Sequence, residues 1–159
     1  MKGILVYYSL DGSTKLVCEK IAAAVGMDTL ELDPVKPFPN KGILKMIIGG
    51  RAAIKGKKSK LKNYHFNAKD YDFIIIGSPV WAASPTPPIN AFLFENSLFG
   101  KKVALLACQS SGGSDRMFNK IQDMIPDANI ISTITLISPK LKDTDAQIEK
   151  AITWAKFLL

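Results

Sequence analysis

Cysteine and histidine are almost missing from this chain. Cys18 and Cys108 are the only thiols, too few for a disulfide framework or a four-ligand metal site. His65, the single histidine, follows a basic block and reads as a surface loop residue rather than a general base. No apolar run reaches the ~18 residues of a membrane span, so a soluble protein is expected. The start, Met1 to Tyr7, is charged and then apolar, a faint imitation of an export signal. Its apolar run is too short and flows into a structural pattern, so it reads as a first strand and the expected location is cytoplasmic. Three nucleotide or phosphate signatures are lacking as well. There is no G-x-G-x-x-G after the first strand and no G-K-S/T, which excludes a dinucleotide Rossmann loop and a Walker loop. Tyr8-Ser9 and Gly77-Ser78 stand where a response-regulator receiver would need acids.

What is present describes a globular chain. Its 159 residues are 47% hydrophobic and 22% charged, a balance that excludes disorder and suits one domain over 1–159. The net charge of +7 is concentrated: nine Lys or Arg and no acid lie between Lys36 and Lys62. Such a block is either a solvated face or a surface for nucleic acid, an anionic membrane or an acidic protein. Only Phe38 interrupts it, which argues against stacking on single-stranded nucleic acid.

Five apolar runs, Gly3–Ser9, Thr29–Leu32, Asp72–Ser78, Lys102–Cys108 and Ile130–Ile137, alternate with helical patterns at Thr14–Val25, Gly42–Ile54, Pro88–Phe94, Ser114–Ile125 and Asp143–Phe157. Strand-then-helix alternation predicts an α/β fold with a parallel sheet covered on both faces. The continuously apolar third and fourth runs are what doubly covered strands require.

Ligands of such sheets sit beyond the carboxyl ends of the strands, which singles out three loops. Ser9-Leu10-Asp11-Gly12-Ser13-Thr14 places three hydroxyls and a glycine before a helix. One hydroxyl suffices for a helix cap; the set also suits an anion, because a helix N-terminus offers free N–H groups and partial positive charge. Gly77-Ser78-Pro79-Val80-Trp81-Ala82-Ala83-Ser84-Pro85 is stiffened by proline and carries a tryptophan with no helical stripe to join. Gln109-Ser110-Ser111-Gly112-Gly113-Ser114 is small and polar, letting backbone N–H groups approach a ligand. Together the loops suit a molecule with a phosphate at one end and a flat heteroaromatic ring at the other.

In these motifs the sequence resembles the flavodoxin family. Ser9 to Thr14 is similar to its T/S-x-T-G-x-T phosphate loop, with Asp11 in place of the middle threonine, and Gly77-Ser78-Pro79-Val80-Trp81 resembles the G-S/T-P-x-W/Y ring loop. The likeness spans nearly the whole chain. It implies a flavodoxin-like three-layer sandwich with sheet order 2-1-3-4-5, and FMN as cofactor. Ser9, Ser13, Thr14 and the backbone of Leu10, Asp11 and Gly12 would hold the phosphate. Ser78, Pro79, Val80, Trp81 and Ala82 would flank the ribityl chain and ring, and Ser110, Ser111, Gly112 and Gly113 the pyrimidine edge. The strand-five insertion of long-chain members is absent.

The resemblance implies electron transfer, with an NAD(P)H-dependent quinone or flavin reductase as the alternative and a flavin-free docking module as a further one. The basic charge implies a redox partner with an acidic face, or the phosphates of a pyridine nucleotide. Cys108 and Cys18 read as buried packing residues, and Trp154 as part of the last helix's core face. In the family, a peptide of the ring loop turns over on reduction, often to positive φ. The loop here has no glycine, so a flip at Ala82 or Ala83 would cost on the order of 1 kcal/mol more.

Overall fold

The computed structural model describes residues 1–159. Five parallel strands, β1 (Gly3–Tyr7), β2 (Asp28–Glu31), β3 (Phe73–Pro79), β4 (Lys102–Gln109) and β5 (Asn129–Ile137), form one sheet in the order β2-β1-β3-β4-β5. The expected architecture is therefore present, and every strand falls within two residues of its apolar run. Helices α1 (Ser13–Val25), α4 (Pro87–Glu95) and α5 (Ser114–Met124) cross over between strands, and α6 (Thr144–Leu158) follows β5. Between β2 and β3 lie three abutting helical pieces: α2 (Gly42–Leu44), a π-helical turn (Lys45–Gly49) and α3 (Gly50–Ile54).

Strand alternation divides the core in two. Ile4, Val6, Ile74, Ile76, Val103 and Leu105 face α4 and α5, where Phe92, Met117 and Ile121 meet them. Leu5, Tyr7, Phe73, Ile75, Ala104 and Leu106 face α1 and α6, against Val17, Ile21, Ala151 and Ala155. Both faces of β1, β3 and β4 are thus covered, which is why their sequences run apolar without a break. At the edges the pattern loosens: β2 is mostly exposed, and β5 buries only Ile134 and Leu136. No helix is long and apolar enough to cross a membrane.

Parallel register brings the strand ends level. Tyr7 pairs with Gly77, Gly77 with Leu106, and Gln109 with Ile137. The loops that follow β1, β3, β4 and β5 therefore open along one edge of the sheet.

Candidate functional site

The first loop reaches α1 through Gly12, the helix N-cap, at φ 90° with no side-chain cap. Neither serine nor threonine closes this helix end as a cap, so the simpler reading of the hydroxyls is not what the fold uses. Instead the Asp11 carboxylate accepts the Ser13 N–H at 2.9 Å. Lys45 Nζ stands 3.8 Å from Asp11 Oδ2, and Lys140 Nζ donates to the Asp11 carbonyl at 2.8 Å. Burial acts to raise the Asp11 pKa, but the Ser13 hydrogen bonds and the Lys45 and Lys140 charges outweigh it and hold the group below its ordinary value. Two ammoniums and a helix N-terminus thus surround one carboxylate.

Ser9 Oγ is buried without a hydrogen-bond partner. Buried hydroxyls are nearly always paired, so this one keeps hydrogen-bonding capacity that the fold does not use. Thr14 is 1% exposed, in the first turn of α1.

A cavity of about 210 Å³ brings Asp11 and Ser13 of the first loop together with Pro79, Val80 and Trp81 of the second and Ser110 of the third. Lys45, Cys108, Gln109 and the segment Ser138, Pro139 and Leu141 complete its lining. Ser9 and Leu10 line a second cavity, of about 510 Å³, together with Tyr8, Asp33 and Phe38. Trp81 packs edge-on with Tyr8 (centroids 5.8 Å) and Phe38 (5.2 Å). Trp81 and Ser84 exchange backbone hydrogen bonds of 3.1 and 3.0 Å. The two residues between them, Ala82 and Ala83, sit at φ 49° and 55°, the arrangement of a type I′ turn.

The third loop rests on this turn. A Cβ on Gly113 would lie 2.9 Å from Ala83 Cα and Cβ, so only glycine permits the approach. Gln109 Oε1 accepts the Ser114 N–H at 3.1 Å and ties the loop to the start of α5.

Some predicted residues stay outside either cavity. Ser78 is fully buried, and its hydroxyl donates to the Pro79 carbonyl at 2.9 Å. Ala82 packs toward α3, while Ser111, Gly112 and Gly113 border the site without lining it. Sequence reasoning placed Gln109 in the third loop without giving it a role, and missed Lys45, Lys140 and the Ser138–Leu141 segment. The last was findable, since the strand-end rule applies equally to β5; Lys45 and Lys140 carried no local signal.

Cys108, at the cavity floor, has its thiol pushed up to about 12, chiefly by burial. Cys18 is fully buried and its thiol is pushed well up by the same cause. Both are free, buried thiols. His65 is exposed, as expected. Trp154 is half-buried rather than fully core, donating to Ser132 Oγ at 2.9 Å.

The model of a flavodoxin family matches residues 2–151. Among curated proteins none matches the chain. Solved structures do. A flavoprotein from Lactobacillus acidophilus in complex with FMN is 23% identical, covers 94% of this chain and 97% of its own, and superposes with a TM-score of 0.75. A protein from Bacteroides uniformis provisionally classed as a flavoprotein is 22% identical over 98% of this chain and 97% of its own, with a TM-score of 0.80. Oxidised flavodoxin 2 from Bacillus cereus is 17% identical over 98% and 95%, with a TM-score of 0.58. At these identities the likeness establishes the fold.

Proposed function

The chain belongs to the flavodoxin family, and from that premise we propose that it binds FMN at the junction of the strand-end loops and transfers electrons. The observation that carries this is the orphaned Ser9 hydroxyl in the loop that leads into α1. It gives the phosphate a donor that the protein itself leaves unused, beside free helix N–H groups. The residues present fit the cofactor. Ser9, Ser13, Thr14 and the Leu10 to Thr14 backbone would hold the phosphate. Pro79, Val80 and Trp81, with Ser78 and Ala82 behind them, would flank the ribityl chain and ring. Ser110, Ser111, Gly112 and Gly113 would offer N–H groups to the ring's polar edge. Bound FMN supplies the redox chemistry; the protein binds, orients and sets the electrostatic field. Lys45 and Lys140 offset both the Asp11 carboxylate and the added phosphate charge.

Titration with FMN and riboflavin tests the assignment. Ser9→Ala combined with Thr14→Val is expected to weaken FMN at least about tenfold, the value of one or two charge-assisted hydrogen bonds, and to leave riboflavin almost unchanged. Equal affinity of the parent protein for the two flavins would remove the phosphate role from this loop.

A second reading rests on the same lysines. Cations at the mouth of the cavity suit the phosphates of NADH or NADPH, and so a quinone or flavin reductase. Carrier action on a redox protein with an acidic face is preferred, because no residue cluster specifies a nicotinamide site. Anaerobic mixing with NADH or NADPH decides: rapid bleaching of the flavin, with turnover on added quinone, selects the reductase. A flavin-free docking module is disfavoured by the intact loops and by the unpaired Ser9 hydroxyl.

A further inference from the structure

The helical run from α2 through α3 is built inside out. Where it touches the protein it uses small residues. A Cβ on Gly49 would lie 3.1 Å from the Trp81 ring, and one on Gly50 3.8 Å from Ala82 Cβ; Ala53 is buried beside them. The large apolar side chains turn outward instead. Ile43 is 73% exposed, Met46 77% and Ile54 62%, and Leu44, Ile47 and Ile48 are exposed as well. Ile43, Met46 and Ile47 follow the i, i+3, i+4 spacing of one stripe. A surface helix ordinarily buries such a stripe. Here, rotating it inward would drive isoleucine against the Trp81 ring, where even a Cβ on Gly49 would be crowded.

Contiguous exposed apolar surface marks a contact site, and the charge around this one narrows what covers it. The run lies inside the stretch from Lys36 to Lys62, with its nine Lys or Arg and no acid. A second copy of the same face would bring like charge against like. An acidic protein surface would satisfy the lysines but set carboxylates against the isoleucines. A bilayer containing anionic lipid offers hydrocarbon and phosphate within one helix width.

We propose that α2 through α3 is an interfacial anchor for an anionic bilayer. Ile43, Met46 and Ile47 enter the acyl boundary, and the exposed Lys41, Arg51, Lys55, Lys57 and Lys58 meet the lipid phosphates. The run is about 20 Å long at helical rise, so it lies on the surface. The attachment borders the site described above, because Lys45 and Gly49 of the same run touch Asp11 and Trp81. It does not depend on flavin binding.

Co-sedimentation of the purified protein with phosphatidylcholine vesicles, with and without about 30% phosphatidylglycerol, tests the anchor. Binding to the anionic vesicles is expected, at least about tenfold weaker on pure phosphatidylcholine. Ile43→Ser/Met46→Ser/Ile47→Ser and Lys55→Glu/Lys57→Glu/Lys58→Glu are each expected to cut it about tenfold or more. The substituted residues are exposed, so circular dichroism and FMN affinity are expected to hold in both variants. Absence of binding overturns the proposal. So does binding that the lysine reversals abolish and the serine variant retains, since that is a purely ionic surface of the kind an acidic protein uses. A concentration-dependent dimer dissolved by the serine variant, without vesicle binding, overturns it in favour of self-association. Vesicle binding by a preparation that fails to take up FMN supports the anchor and sinks only the flavin assignment.

Discussion

Asp11 is where this chain departs from the phosphate loop it resembles. Its carboxylate takes the Ser13 N–H, a donor that a phosphate oxygen would otherwise use, and brings negative charge to an anion site. Lys45 and Lys140 sit against it, arriving from distant parts of the chain. Replacing the carboxylate by the usual hydroxyl removes the repulsion. Asp11→Thr is expected to tighten FMN by about 1 kcal/mol, roughly fivefold, through relief of a partly solvated like-charge contact. Riboflavin affinity stays fixed. Lys140→Met acts in the opposite direction by a similar amount. Calorimetric titration of both flavins checks the pair; an FMN affinity indifferent to both variants would place the phosphate away from this loop.

At the scale of the element, the turn Trp81–Ser84 carries the backbone strain of the site. Both of its central residues are left-handed alanines, a conformation that costs a residue with a Cβ roughly 1–2 kcal/mol. The sequence led us to expect this cost only on a flip; the fold already bears it at rest. The hydrogen bonds between Trp81 and Ser84, and the contact of Gly113 with Ala83, hold the turn in place. Ala83→Gly is therefore expected to stabilise the protein by up to about 1 kcal/mol, the strain relieved less the entropy glycine adds to the unfolded chain. Urea unfolding reads it. A loss of stability would mean that the alanine methyl groups contribute more by packing than they cost in strain.

For the whole molecule, the buried weak acids set an alkaline limit. Burial first, then the Asp33 charge, pushes Tyr8 up to about 12. Tyr7 is raised further, by burial and by Glu31, and Cys108 goes from 9.0 to about 12. In the unfolded chain these groups lose protons near pH 9 to 10; in the fold they keep them to about 12. The unfolded state therefore binds fewer protons in that window, and stability falls as pH rises. The contribution is whole below about pH 9 and lost toward pH 12. For Cys108 alone it is about 4 kcal/mol. Melting temperature measured from pH 8 to 12 is expected to fall steeply above about 9, and Cys108→Ala to flatten the decline. A melting temperature constant across that range would contradict the burial of these groups.

The sequence by itself determined the alternation of strands and helices, since periodicity is written locally and doubly covered strands are apolar throughout. It also determined the three loops, because Gly, Pro, Ser and Thr act on the backbone where they stand. Its reading of Gly42 to Ile54 as one helix was right in extent. The π-helical turn at Lys45–Gly49 was not legible, because the apolar spacing of this stretch is the same for a regular helix. Only the tertiary structure decided that the large side chains of this run face outward, since composition shows how apolar a segment is and not which side finds a partner. It alone also brought Lys140 to Asp11, 129 positions away. Coulomb attraction acts through space, and nothing in either residue's neighbourhood announces the other.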